Sequence, residues 1–89
     1  MEMRIVVPDA TSASGLAERL SVAFGSERIS LWRDRREVDV RVEQGSDRTV
    51  LHVLEAVERW LDQAGVGSVE MWLGQRSYRL ARWVQVETW

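Results

Sequence analysis

The chain has 89 residues, of which 45% are hydrophobic and 29% are charged, and its formal net charge is −2. These values are those of one small globular domain, and the absence of cysteine excludes disulfides, thiolate metal sites and a cysteine nucleophile. The slightly acidic balance gives no general attraction for nucleic acid, because phosphate binding needs clustered positive charge.

The chain begins with a predicted strand and a predicted helix. Apolar side chains alternate over residues 3–7, which predicts strand one. The polar turn Asp9–Ser14 leads into helix one, and either Thr11 or Ser12 is expected to be its N-cap. The apolar face of this helix recurs at spacings of three and four: Leu16, Ala17, Leu20, Ala23 and Phe24.

A hairpin is predicted next. Strand two covers residues 29–33, the polar turn Asp34-Arg35-Arg36 follows, and strand three covers residues 37–43. Strand three has the most regular alternation in the chain, which predicts one buried face and one solvent face. The two faces are Val38, Val40 and Val42 on one side and Glu37, Asp39, Arg41 and Glu43 on the other.

The segment Asp47–Gly65 is the clearest predicted helix of the chain. Asp47 is a suitable N-cap, and Gly65 suits the left-handed position that follows a helix. The wide aliphatic stripe favours packing against a sheet, and Trp60 borders it. The stripe consists of Val50, Val53, Leu54, Val57, Leu61 and Ala64.

Two more strands complete the predicted domain. Apolar residues alternate over 69–73, which predicts strand four. A two-residue turn at Gly74-Gln75 follows, and Tyr78 and Leu80 then mark strand five.

The order of these elements predicts an α+β domain over residues 1–81. We expect a ferredoxin-like βαββαβ arrangement with an added C-terminal strand, in which two helices cover one face of an antiparallel sheet. Strands one and three are then central, and strand five lies at the edge beside strand four. Residues 82–89 form a tail that is either an extra strand or an interface segment.

The tryptophan positions give the main indication of function. If the valines of strand three face the helices, Trp32 and Trp72 face away from them, and such an aromatic patch usually marks a contact. We therefore expect a non-catalytic regulatory module that forms a homodimer or binds another protein; alternatively, the tail covers this face, or the tryptophans belong to the core. The candidate interface residues are Trp32, Trp72, Arg41, Arg79, Trp83 and Trp89.

The loop before helix one carries the alternative function, a sensor of an amino acid or another small anion. A helix N-terminus presents free N–H groups and a partial positive charge, and the turn after strand two is expected at the same end of the sheet. Serines in such loops are commonly only caps, and arginines in hairpin turns are commonly only solvated. The candidate anion-binding residues are Ser12, Ser14, Gly15, Arg35 and Arg36.

Single-stranded RNA stacked on the tryptophans is a third prediction. It is opposed by acidic residues near them, which would repel phosphate: Glu37, Asp39, Glu43 and Glu70.

Catalysis, metal binding and cofactor binding are not expected. His52 is the single histidine, so a multi-histidine metal site is excluded, and no serine shows the spacing of a catalytic triad. No apolar run approaches the roughly 20 residues that span a bilayer, and the N-terminus lacks a signal-peptide pattern. A cytoplasmic location is therefore expected.

Overall fold

The computed structural model describes residues 2–43 and 47–81, which contain two α-helices and five β-strands. Short 3₁₀ turns precede and follow the second strand. The predicted tail, residues 82–89, with Trp83 and Trp89, lies outside the described residues. The elements are β1 Glu2–Val6, α1 Ala10–Phe24, β2 Ile29–Trp32, β3 Glu37–Arg41, α2 Asp47–Ala64, β4 Ser68–Leu73 and β5 Arg76–Ala81.

The strands form one sheet in the order β2-β3-β1-β4-β5, and every neighbouring pair is antiparallel. This confirms the predicted α+β class, the antiparallel sheet and the position of β5 at the edge beside β4. The element order is βαββαββ, which differs from the six-element ferredoxin-like topology by the fifth strand.

One apolar core lies between one face of the sheet and the two helices. Strand residues that alternate along β1, β3 and β4 supply the sheet side, because successive side chains point to opposite faces. Both helices add apolar residues to the same cluster, so both cover the same face, whereas Ala23 and Ala64 of the predicted stripes are exposed. Its fully buried members include Met3, Ile5, Leu16, Leu20, Val38, Val40, Val53, Val57, Leu61 and Met71.

Helix α1 begins differently from the prediction. Its N-cap is Asp9, whose Oδ1 accepts a hydrogen bond of 2.7 Å from the backbone N–H of Ser12. The predicted caps, Thr11 and Ser12, are instead inside the first turn, so that prediction was wrong. A carboxylate three residues before the donor reaches the free N–H groups as well as a hydroxyl does, and it also complements the helix dipole.

Helix α2 has nearly the predicted bounds. Asp47, predicted as the N-cap, is instead the first helical residue, and Gly65 follows the last residue with a φ of 69°. The backbone N–H of Val66 donates to the carbonyl of Leu61 over 3.1 Å, which is the closing bond of a glycine-terminated helix. Trp60 is not at the border of the stripe, because it is only 6% exposed and belongs to the core.

Candidate interaction surface

The sheet face opposite the helices, called here the outer sheet face, carries the candidate interface. Cross-strand partners lie on the same face of a sheet, so the register assigns its residues directly. Both described helices pack on the other face. One row of partners is Trp32, Glu37, Val6, Glu70 and Arg79, and the adjacent row is Ser30, Asp39, Arg4, Trp72 and Ser77.

The structure places the four described interface candidates on this face. Trp32 is 47% exposed, whereas Trp72 is partly buried. Strands β3 and β1 separate them, and three strand spacings correspond to about 14 Å. Arg41 is exposed at the end of β3 and Arg79 is exposed within β5, where its Nε donates to Ser68 Oγ over 3.3 Å.

Trp32 is held in place by the turn that follows β2. The residues 33–35 form a 3₁₀ turn, which ends at Arg36 with a left-handed φ of 54°. This turn places the Arg35 guanidinium carbon 5.2 Å from the centroid of the Trp32 ring, a cation–π distance. Trp32 therefore presents its exposed part to solvent while one side of its ring contacts Arg35.

An acidic pair lies between the two tryptophans. Glu37 and Asp39 are two residues apart on β3 and therefore share the outer sheet face, yet Glu37 is only 6% exposed. Arg4 on β1 forms an ion pair with Glu37, with 3.4 Å between Nε and Oε2. Within the described part of the chain, neither Glu37 Oε2 nor Asp39 Oδ1 has a hydrogen-bond partner, although both atoms are buried.

This environment raises the pKa of Asp39 to about 6. Burial is the largest cause, and hydrogen bonding and repulsion by the Glu37 carboxylate add to it. The positive charge of Arg4 and a hydrogen bond from the Trp32 side chain act in the opposite direction and lower the pKa. The acidic pair is therefore incompletely neutralised by the residues around it.

Sequence reasoning missed the burial of Glu37. Alternation correctly assigned Glu37 and Asp39 to the face away from the helices, but a residue on such a face is expected to be solvated. The one indication in the sequence is that a short hairpin places Trp32 close to two carboxylates. Alternation within one strand does not include such contacts between strands.

The structure disperses the candidate anion-binding residues. Arg35 lies over Trp32, and Arg36 Nη1 donates to the carbonyl of Pro8 over 3.2 Å. The backbone N–H of Ser12 is already bonded to Asp9, and this bond lowers the pKa of the Asp9 carboxyl. Only Ser14 of the set lines a shallow cavity at the start of α1.

That shallow cavity has a volume of about 250 Å³ and includes Thr11 and Arg33 beside Ser14. Gly15, the remaining candidate, belongs to a different surface, because a Cβ there would lie 3.7 Å from the indole nitrogen of Trp60. An anion at this helix start would also meet the negative charge of Asp9.

A second apolar surface lies between α2 and the β4–β5 hairpin. It is a groove of about 290 Å³ on the helix side of the sheet, where the helices leave β5 only partly covered. Tyr78 is its most accessible aromatic residue, with 48% of its surface exposed. Its apolar lining consists of Leu54, Met71, Leu73, Tyr78 and Leu80.

His52 is exposed on α2. Over residues 2–43 and 47–81, no group of three or more His, Asp or Glu side chains is arranged to hold a metal ion. The two described helices are also too short or too polar to cross a bilayer. The cytoplasmic location stays a prediction.

Comparison with known proteins adds no assignment, because the chain matches no protein-family model, no curated protein and no solved structure.

Proposed function

We propose that the protein is a non-catalytic interaction module that forms a homodimer through the outer sheet face. The observation that carries the proposal is Trp32, a large aromatic side chain that is 47% exposed on the face opposite both described helices. We also propose that the fold is a ferredoxin-like arrangement extended by β5, since β1 lies between β3 and β4 as that arrangement requires.

The free energy available from Trp32 is large enough to matter for association. A tryptophan side chain buries roughly 150–250 Å² when fully covered, so covering the exposed half would remove about 100 Å² from water. At about 25 cal/mol per Å² this corresponds to about 2.5 kcal/mol for each copy. Aromatic residues of this kind dominate the binding energy of many interfaces.

The charges of the outer sheet face also suit association with a second copy. Glu2, Glu37, Asp39 and Glu70 alternate with Arg4, Arg41 and Arg79 on this face. A surface with both signs can be complementary to itself in a symmetric dimer.

The two other predicted functions have less support. An anion sensor at the start of α1 would use residues that the structure disperses, next to the Asp9 carboxylate. Single-stranded RNA on the tryptophans would bring phosphate toward Glu37 and Asp39, which have one cation, Arg4, in contact.

The test is the mass in solution, measured by light scattering over about a hundredfold range of concentration. We expect a concentration-dependent dimer for the full chain and an increase of at least about tenfold in the dissociation constant for Trp32→Ala. Val22→Ala is the matched control, because Val22 is 84% exposed on α1, away from the sheet.

A folded monomer at every concentration would contradict the proposal. A dimer that tolerates Trp32→Ala but is lost in Tyr78→Ala would move the contact to the groove beside α2. Circular dichroism should show that each variant keeps the secondary structure of the full chain.

A further inference from the structure

Among the described residues, the centre of the outer sheet face carries more negative than positive charge. Two carboxylates, Glu37 and Asp39, lie side by side, and Arg4, the cross-strand partner of Asp39, forms its ion pair with Glu37. Glu37 Oε2, which lies 3.4 Å from Arg4 Nε, and Asp39 Oδ1 are buried and accept no hydrogen bond from the described residues, whereas the Asp39 side chain is only partly buried. Because Asp39 keeps part of its surface accessible on this face, a cation from outside the domain can reach its carboxylate and form a charge-assisted hydrogen bond.

Arg41 is a second cation of the same face, and its cross-strand partner on β1 is Glu2. It follows Asp39 by two residues on β3, so its side chain projects from the same side of the sheet. It is exposed, and no residue in 2–43 or 47–81 forms an ion pair with it. Arginine is suited to this task, because its planar fork binds carboxylates with two parallel hydrogen bonds.

Two-fold symmetry brings these groups together. In a symmetric dimer, if residue i of the first copy contacts residue j of the second copy, residue i of the second copy also contacts residue j of the first. Two sheets packed face to face lie about 10 Å apart, a gap that an arginine and an aspartate side chain can bridge from opposite sides. When the two β3 strands run antiparallel across the axis, Arg41 of each copy lies opposite Asp39 of the other copy, so the contact occurs twice.

We propose that Arg41 of each copy binds the Glu37–Asp39 site of the other copy, mainly through the Asp39 carboxylate. The inference rests on the proposed function and defines its geometry, since it fixes which part of the outer sheet face lies on the symmetry axis. Trp32 then contributes apolar area, whereas the reciprocal ion pair sets the register of the dimer.

Charge reversal tests this pairing. Arg41→Glu places a carboxylate opposite Asp39, and we expect the dimer dissociation constant to rise at least about tenfold, measured by sedimentation equilibrium. Arg59→Glu is the matched control, because it makes the same change in net charge at an exposed position of α2. The control should leave the dissociation constant unchanged within about twofold.

The double variant Asp39→Arg/Arg41→Glu exchanges the two charges within each chain. It should restore the dissociation constant to within about fivefold of the original value, because the reciprocal pairs are re-formed with opposite sign. A double variant that folds but associates no better than Arg41→Glu alone would overturn the pairing.

A milder set of variants decides the question if the double variant does not fold. Asp39→Asn and Arg41→Gln each remove one charge and keep the shape of the side chain. Their effects on the dissociation constant should be non-additive by more than about threefold in a double-mutant cycle, since each removes the same pair. Additive effects would overturn the pairing.

The outcomes separate this inference from the proposed function. A dimer that Trp32→Ala weakens but Arg41→Glu does not would overturn the pairing and leave the proposed function standing. A chain that is monomeric at every concentration would overturn both.

Discussion

Asp39 is surrounded by groups that have opposite effects on the pKa of its carboxyl. Burial and the neighbouring Glu37 carboxylate favour the protonated form, whereas Arg4 and the Trp32 side chain favour the ionised form. The first two effects are the larger, so the pKa rises from 3.8 to about 6. The charge at the centre of the outer sheet face therefore changes over a range of pH in which most surface carboxylates are already ionised.

This raised pKa predicts how stability depends on pH. The folded chain holds the Asp39 proton more tightly than the unfolded chain, so the stabilising contribution is complete below about pH 4 and is lost as the pH rises through about 6. Asp39→Asn should remove this loss, so that the variant exceeds the original chain in free energy of unfolding at pH 8 but not at pH 4.

Urea denaturation of dilute protein at several pH values measures the difference. Asp62→Asn is the control, because it removes an exposed carboxylate of α2, and its profile should follow that of the original chain. The assignment would be contradicted if the free energy of unfolding of Asp39→Asn fell between pH 4 and pH 8 by as much as that of the original chain.

At the scale of single elements, the ends of the helices show what sequence patterns can and cannot predict. Gly65 was predicted from its position after the stripe of α2, and its φ of 69° agrees with that prediction. The N-cap of α1 was assigned to the wrong residue, because Asp9, Thr11 and Ser12 are all good caps. Residue type alone does not show which of the three occupies the N-cap position.

Strands show the same limit. Regular alternation correctly predicted which residues of β3 face the core, since that depends only on a period of two. The burial of Glu37 depends on side chains from β1 and β2, which are distant in sequence, and pattern alone does not give it. The same is true of Arg35, whose contact with Trp32 depends on the 3₁₀ form of the turn.

The end of α2 gives a prediction at this scale. Gly65→Ala should lower the free energy of unfolding by about 1 kcal/mol, because a side chain disfavours the left-handed conformation at a φ of 69°. Nothing lies within 4 Å of a Cβ built at either Gly65 or Gly67, so steric contact is not the cause.

Gly67→Ala is therefore the matched control, since Gly67 lacks the positive φ. It should be neutral or slightly stabilising, because alanine reduces the entropy of the unfolded chain. Equal losses in both variants, measured by chemical denaturation, would contradict the assignment of the effect to backbone conformation.

At the scale of the whole molecule, the two described helices cover one face of a five-stranded sheet, and neither packs on the outer sheet face. A domain of 89 residues buries a modest share of its surface, so the dimer that we propose would add a substantial part of its stability. Association and folding are then coupled by mass action.

The melting temperature should consequently rise with protein concentration. A hundredfold increase in concentration should raise it by a few degrees for the original chain. The melting temperature of Trp32→Ala should change little, because the variant associates weakly. Differential scanning calorimetry at several concentrations measures this, and a flat profile for the original chain would contradict self-association.

The position of β1 has a consequence for the order in which the sheet can form during synthesis. β1 pairs with β3 on one side and with β4 on the other, and the pair Met3 and Leu73 joins residues about 70 positions apart. At roughly 5–20 residues per second, the ribosome needs about 4–14 seconds to add that length. β1 therefore waits for β4 before its second edge is paired, and the nascent chain carries apolar Met3 and Ile5 without their full cover for that time.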